Sequence, residues 1–224
     1  MNLKRKLKKK VSNTMAGKKS FGLVFFLIAT FLIVEACKDN RMDNPEMKNY
    51  VEALTIERKE KDYTLQFDIN SPFNRDTTIT FKPLNYYEPN PDFIFKSKLF
   101  KYDVQDTVSI LGTKGETRPA VRLGYLELKT DEQVHKINVY QGFARTGEPY
   151  YSIWFTDQTT GNETYGVGRY LDFELNDHPE FVYTIDFNKA YNPYCAYSSL
   201  FTCPIPRVED FIDMEIEAGE KNFH

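Results

Sequence analysis

From residue 63 onward, apolar side chains recur at every second position in short runs broken by turn-forming residues. This pattern restricts the fold more than any other feature of the chain. Successive side chains leave a pleated backbone on opposite sides, so a period of two marks a strand with one buried face. Strands are predicted over 63–69, 77–82, 93–100, 104–111, 121–128, 136–141, 150–155, 168–174 and 181–187, all rich in Val, Ile, Phe, Tyr and Thr. Turn chemistry separates them, as at Asn70-Ser71-Pro72, Glu88-Pro89-Asn90-Pro91, 142–149 and Thr160-Gly161-Asn162. In the tail Ile212, Met214, Ile216 and Ala218 alternate with acids, and a further strand is expected there.

Many short strands at this spacing indicate a mainly β, antiparallel β-sandwich or partly open barrel, a single domain over residues 44–224. At 41 % apolar and 15 % aromatic residues, with 15 Tyr and 18 Phe, the chain can bury a substantial core. This composition excludes a collagen-like chain, a disulfide-dense mini-protein and a polytopic membrane protein. No internal repeat is visible. An N-terminal amphipathic helix precedes the strands. Asn44, Pro45 and Glu46 supply a cap, a proline at the first turn and an acid at the positive helix end. Met47, Tyr50, Val51 and Leu54 then share one face, and the charged stretch 57–62 is expected to close the helix.

The first 36 residues read as an export signal. Eight cations precede the first acid, Glu35, and the apolar run from Phe21 to Val34 has fourteen residues. That is short of the roughly 20 needed to span a bilayer, but it suits the centre of a signal peptide. Translation from Met15 would give a signal of ordinary length. Val34-Glu35-Ala36-Cys37 resembles the lipobox of bacterial lipoproteins, with Glu35 as a departure. The resemblance implies acylation of Cys37, a bilayer as partner, and a polar tether over 37–43. An uncleaved anchor is the alternative. Lys38 after the cysteine implies the outer membrane; the periplasmic face of the inner membrane is the alternative. Without the signal, 21 basic and 31 acidic residues remain, a net charge of −10. Such a body repels polyanions, so no nucleic-acid partner is expected. Nothing in the pattern sets an oligomeric state.

The unusual residues crowd into the last third. They include Trp154-Phe155-Thr156-Asp157, the run from Thr160 to Asp172 with Gly168-Arg169-Tyr170-Leu171, the run from Asp186 to Tyr197, Cys203-Pro204-Ile205-Pro206, and Ala218-Gly219-Glu220-Lys221. Together these resemble the bacterial and archaeal family known as domain of unknown function 1684. Its members read D-x-T-x-G-x-x-T-Y-x-x-G-R-Y-L, D-F-N-x-A-Y-N-P-x-C-A-Y, C-P-x-P-P and A-G-E-K. Arg207 stands where the family repeats proline and Asp210 where asparagine is usual, and both are expected to be peripheral. The resemblance implies no reaction.

Chemistry is therefore read from the residues. Gly166 and Gly168 permit positive φ or close backbone approach. The planar fork of Arg169 suits a carboxylate or phosphate. With Asp186, Asn188, Tyr191 and Asn192 it forms a candidate pocket for a small polar or anionic ligand. Alternatively, Arg169 pairs with Asp186 or Asp172, and Asn188 and Asn192 cap an irregular turn. A hydrolase using Asp157, Glu163 or Asp186 as acid–base groups is a second reading, and a structural interaction module a third. No catalytic residue is assigned: there is no G-x-S-x-G, and Gly166-x-Gly168 lacks the rest of a dinucleotide fingerprint. His135, His178 and His224 have no metal-ligand spacing, and no metal or cofactor is expected. An exported compartment favours a disulfide between Cys195 and Cys203; a metal pair is the alternative.

Overall fold

The computed structural model describes residues 44–144 and 146–224. The expected signal over 1–36, the acylation site Cys37 and the tether over 37–43 lie outside the described residues. The chain divides into two units, 1–53 and 54–224.

Helix α1 spans Pro45–Phe67. Asn44 caps it as expected, its side-chain oxygen accepting the Glu46 amide at 2.9 Å. The charged stretch does not end the helix, and the strand expected over 63–69 is its last turns. The rings of Tyr63 and Phe67 lie 4.7 Å apart in a tilted contact on the outer face, an i, i+4 pair, and only Leu65 of that run is buried. From Leu54 the inward stripe continues through Arg58, Lys61 and Asp62 to Leu65. Three of these five residues are charged, so hydropathy hides the stripe. A short helix α2, Pro72–Arg75, follows with Ser71 as its cap. The predicted strand over 77–82 is irregular, because Asp76 takes the Thr78 amide and hydroxyl and bends the chain locally.

Nine strands follow, β1 Ile94–Lys98, β2 Phe100–Lys101, β3 Thr107–Leu111, β4 Thr117–Lys129, β5 Val134–Phe143, β6 Pro149–Asp157, β7 Arg169–Phe173, β8 Val182–Asp186 and β9 Phe211–Ile212. The larger sheet runs β2-β4-β5-β6-β7, with β3 also on β4 and β9 parallel to β6; β1 and β8 form a separate antiparallel pair. The fold is mainly β and antiparallel, and among the described residues no barrel closes. The tail is extended with the expected alternate burial, but only Phe211 and Ile212 pair as a strand. Carbonyls farther along are met instead by a side chain described below.

Alternation along the central strands fills both faces of the sheet. Ile137, Val139, Ile153, Phe155 and Leu171 pack with Ile185 and Phe187 and with Ile216 and Ala218 of the tail. Tyr140, Trp154 and Tyr170 point the other way, with Tyr140 stacked on Trp154 at 4.9 Å. A third cluster joins Leu65 and Phe73 to Leu84, Tyr197 and Phe223. Asp210 is fully buried, contrary to the peripheral place expected of it. It accepts bonds from Asn138 Nδ2 at 2.8 Å, the Tyr140 hydroxyl at 2.8 Å and the Arg207 amide at 3.1 Å. Burial raises its pKa, and the bonds from Asn138 and Tyr140 oppose the rise.

Candidate functional site

The motif runs around Gly168 and Gly219 turn inward. Gly168, at φ +110°, makes the turn into β7, and a Cβ there would come within 2.5 Å of the Phe155 carbonyl. The next side chain, Arg169, is thereby driven into the core with its side chain 1 % exposed. Its Nη2 donates to Asp157 Oδ2 at 2.6 Å and to the Ile216 carbonyl at 2.9 Å. Its Nη1 donates to the carbonyls of Ala218 and Glu220. One guanidinium thus binds acceptors at every second residue of the tail, where a neighbouring strand would otherwise stand. Burial lowers its pKa, and Asp157 opposes that shift. The expected partners, Asp186 and Asp172, are not the ones it takes. Asp157 also accepts the Thr159 amide and hydroxyl at 2.8 and 2.6 Å. It is a buried, saturated carboxylate.

The second hub is Glu220, also fully buried. Gly219 before it, at φ +78°, lies where a Cβ would meet the carbonyls of Phe187 and Ala190 within 2.7 Å. Glu220 accepts from Lys61 Nζ at 2.9 Å, from the amide and Nδ2 of Asn192, and from the Tyr197 hydroxyl. Asn192 Nδ2 also reaches the Lys221 carbonyl at 2.8 Å. Arg169 and Asn192, both placed in the candidate pocket, are therefore parts of the frame.

Asp186 and Tyr191 lie nearer the surface. Asp186 ends β8 and caps the next turn, accepting the Asn188 amide at 3.0 Å. Asn188 is buried and holds the loop before β1, accepting the Asn90 amide at 2.7 Å and donating to the Asn90 carbonyl at 2.8 Å. Tyr191 donates to Asp172 at 2.7 Å; burial and then that carboxylate push its pKa up.

Asp186 and Tyr191 open onto a cavity of about 170 Å³ between the β7 and β8 edges. Its floor is apolar, from Ile153, Leu171, Phe173 and Ile185, and Asp172, Thr184, Asp186, Lys189 and Tyr191 form the rim. A smaller cavity of about 80 Å³ adjoins it through Lys189 and Tyr191. Arg58, Lys61, Tyr86 and Asn188 line that one. Arg58 donates there to the carbonyls of Tyr87 and Asn188 and lies over the Tyr86 ring. Glu163 is elsewhere, exposed and bonded by Tyr87 and Lys221, which lower its pKa.

Sequence reasoning missed Asp172, Thr184 and Lys189 as rim groups. Asp172 and Lys189 stand inside the motif runs, but they meet only because the β7 and β8 edges face each other across the cavity, which the sequence does not show. Glu220 was also quoted, in A-G-E-K, without a role. Cys195 and Cys203 stand as free thiols in this structure. Among the described residues no group of three or more His, Cys, Asp and Glu side chains is gathered to hold a metal ion.

The geometry coincides with what is shared with other proteins. The family described as "Protein of unknown function (DUF1684)" matches residues 79–221, which contain both hubs and the whole rim. The chain belongs to the DUF1684 family. A solved relative is the solution NMR structure of an uncharacterised protein from Haloarcula marismortui. It is 26 % identical, with a TM-score of 0.57, covering 79 % of this chain and 96 % of that one. No curated protein matches this DUF1684 chain.

Proposed function

We propose that this DUF1684 protein is a lipid-anchored cell-envelope protein, held at the outer membrane by acylated Cys37, that binds a small polar molecule between β7 and β8. The observation that carries the binding reading is the cavity of about 170 Å³ with an apolar floor and a polar rim. Ligand sites have this make-up: apolar walls give affinity and a few placed polar groups fix orientation. Its volume equals that of about five or six water molecules, enough for a ligand of a few carbon atoms. Two carboxylates stand on the rim against one ammonium, which favours hydroxyl and amine donors over an anion.

The hydrolase reading loses Asp157, which Arg169 and two threonine groups saturate. Glu163 sits on the exposed surface with Lys221. The anchor reading rests on the Val34-Glu35-Ala36-Cys37 pattern.

Thermal shift against small polyols, amines and carboxylates tests the binding. A polyol or amine that stabilises the protein, but not its Asp186→Ala variant, supports it; no shift with any of the three classes contradicts it. At a hundredfold excess over Kd the gain is about 2.7 kcal/mol. Cys37→Ser is expected to move the protein from the membrane to the soluble fraction. Retention on the membrane contradicts the anchor.

A further inference from the structure

The C-A-Y and C-P-x-P motifs take no part in the ligand cavity, yet the fold brings their two thiols together. Cys203 is 7 % exposed, and its Sγ accepts the Cys195 amide at 3.3 Å. Its backbone is fixed by Thr113: the Cys203 amide donates to Thr113 Oγ1 at 3.2 Å, and the Thr113 amide to the Cys203 carbonyl at 3.1 Å. Cys195 is half-buried, and the Tyr165 hydroxyl lies 3.7 Å from its Sγ and 3.3 Å from its carbonyl oxygen. One thiol is thus reachable and surrounded by donors, while its partner is enclosed beside it.

We infer that Cys195 and Cys203 are a thiol–disulfide exchange site, with Cys195 the attacking thiol and Cys203 the resolving one. The reaction partner is a low-molecular-weight disulfide. The Cys195 thiolate attacks one sulfur of that disulfide, a new S–S bond forms, and the first thiolate leaves. Cys203 then gives its proton to that thiolate and attacks Cys195 Sγ; the mixed S–S bond breaks, and the second small thiolate leaves and takes from solvent the proton that Cys195 released on ionising. The protein loses two electrons and two protons, and the small disulfide becomes two thiols. The reverse sequence reduces the protein.

The titration of the pair agrees with these roles. Hydrogen bonding from Cys203, and then from Tyr165 and Thr113, lowers the Cys195 pKa to about 7 against the cost of burial. Cys203 is pushed upward by the Cys195 side chain and by burial, with the Cys195 amide and then Arg118 opposing. Tyr170, whose pKa is raised first by burial and then by Cys203 and Cys195, faces the pair from β7. A thiol whose pKa lies near ambient pH is the best attacking group. This inference is independent of the β7–β8 cavity.

Cys37→Ser leaves Cys195 and Cys203 as the only thiols, and the experiment uses that background. Oxidised glutathione is added and the products are read by intact-protein and peptide mass spectrometry. The parent is expected to form an internal disulfide that dithiothreitol reverses. Cys203→Ser is expected to accumulate glutathione on Cys195, and Cys195→Ser to remain unmodified. Equal modification of both variants, or of neither, overturns the inference. If either variant fails to fold, the order of alkylation in the parent decides. Cys195 reacting with iodoacetamide at least about tenfold faster than Cys203, with a midpoint near pH 7, supports the inference. Equal rates, or Cys203 first, overturn it.

Discussion

Asp157 and Asp186 are both motif aspartates at the last position of a strand, β6 and β8, yet their surroundings differ completely. Asp157 has a cation and two hydroxyl-bearing neighbours within bonding distance and no exposed side chain. Asp186 caps a turn and opens onto a cavity. The partner across the sheet makes the difference. β7 pairs with β6 and delivers Arg169 opposite Phe155, two residues before Asp157. β8 pairs with β1 only, and its other edge faces the β7 edge across the cavity. A residue type and a motif place do not by themselves separate a frame group from a ligand group; the pairing of the neighbouring strand does.

The largest expected effect breaks the frame side of this comparison. Asp157→Ala leaves a buried guanidinium without its carboxylate and should cost about 3–5 kcal/mol in urea unfolding. Glu220→Gln keeps the shape of the second hub but removes the charge that binds Lys61, Asn192 and Tyr197. Its expected cost is about 1.5–3 kcal/mol in the same assay. Asp186→Ala removes a turn cap at about 1 kcal/mol and abolishes ligand-induced stabilisation. Asp210 sharpens the contrast through pH. Its folded pKa is raised, so the folded chain holds this proton more tightly than the unfolded chain. Its ionised form weakens the fold above the folded pKa, and that weakening is relieved as pH falls through it. The stability of the wild type relative to Asp210→Asn should therefore rise as pH is lowered from 7 into the acid range. A flat difference between the two pH profiles contradicts this.

Much of the architecture was legible because core-facing strands announce themselves. Seven of the alternating runs, from 93–100 to 181–187, coincide with β1 to β8, since burying one face of a pleat demands apolar residues at alternate positions. The helix end was not legible. Beyond Leu54 the inward face of α1 carries Arg58, Lys61 and Asp62, which meet the carbonyls of Tyr87 and Asn188, Glu220 and the Leu84 amide. Charged side chains facing inward look, in sequence, like a solvated surface. The tail misled for the reverse reason. Its alternation is real, but Arg169 supplies the bonds a strand partner would have made. At the site, Asp186 and Tyr191 were found because they stand in an unusual run. Thr184 and Lys189 became rim residues only once β7 and β8 were known to face each other.

The division between frame and rim is tested most directly by melting Asp157→Ala and Asp186→Ala side by side with the parent. The account predicts a fall of about 6–20 °C for Asp157→Ala and of about 2–4 °C for Asp186→Ala. Equal falls, or a larger one for Asp186→Ala, would contradict it.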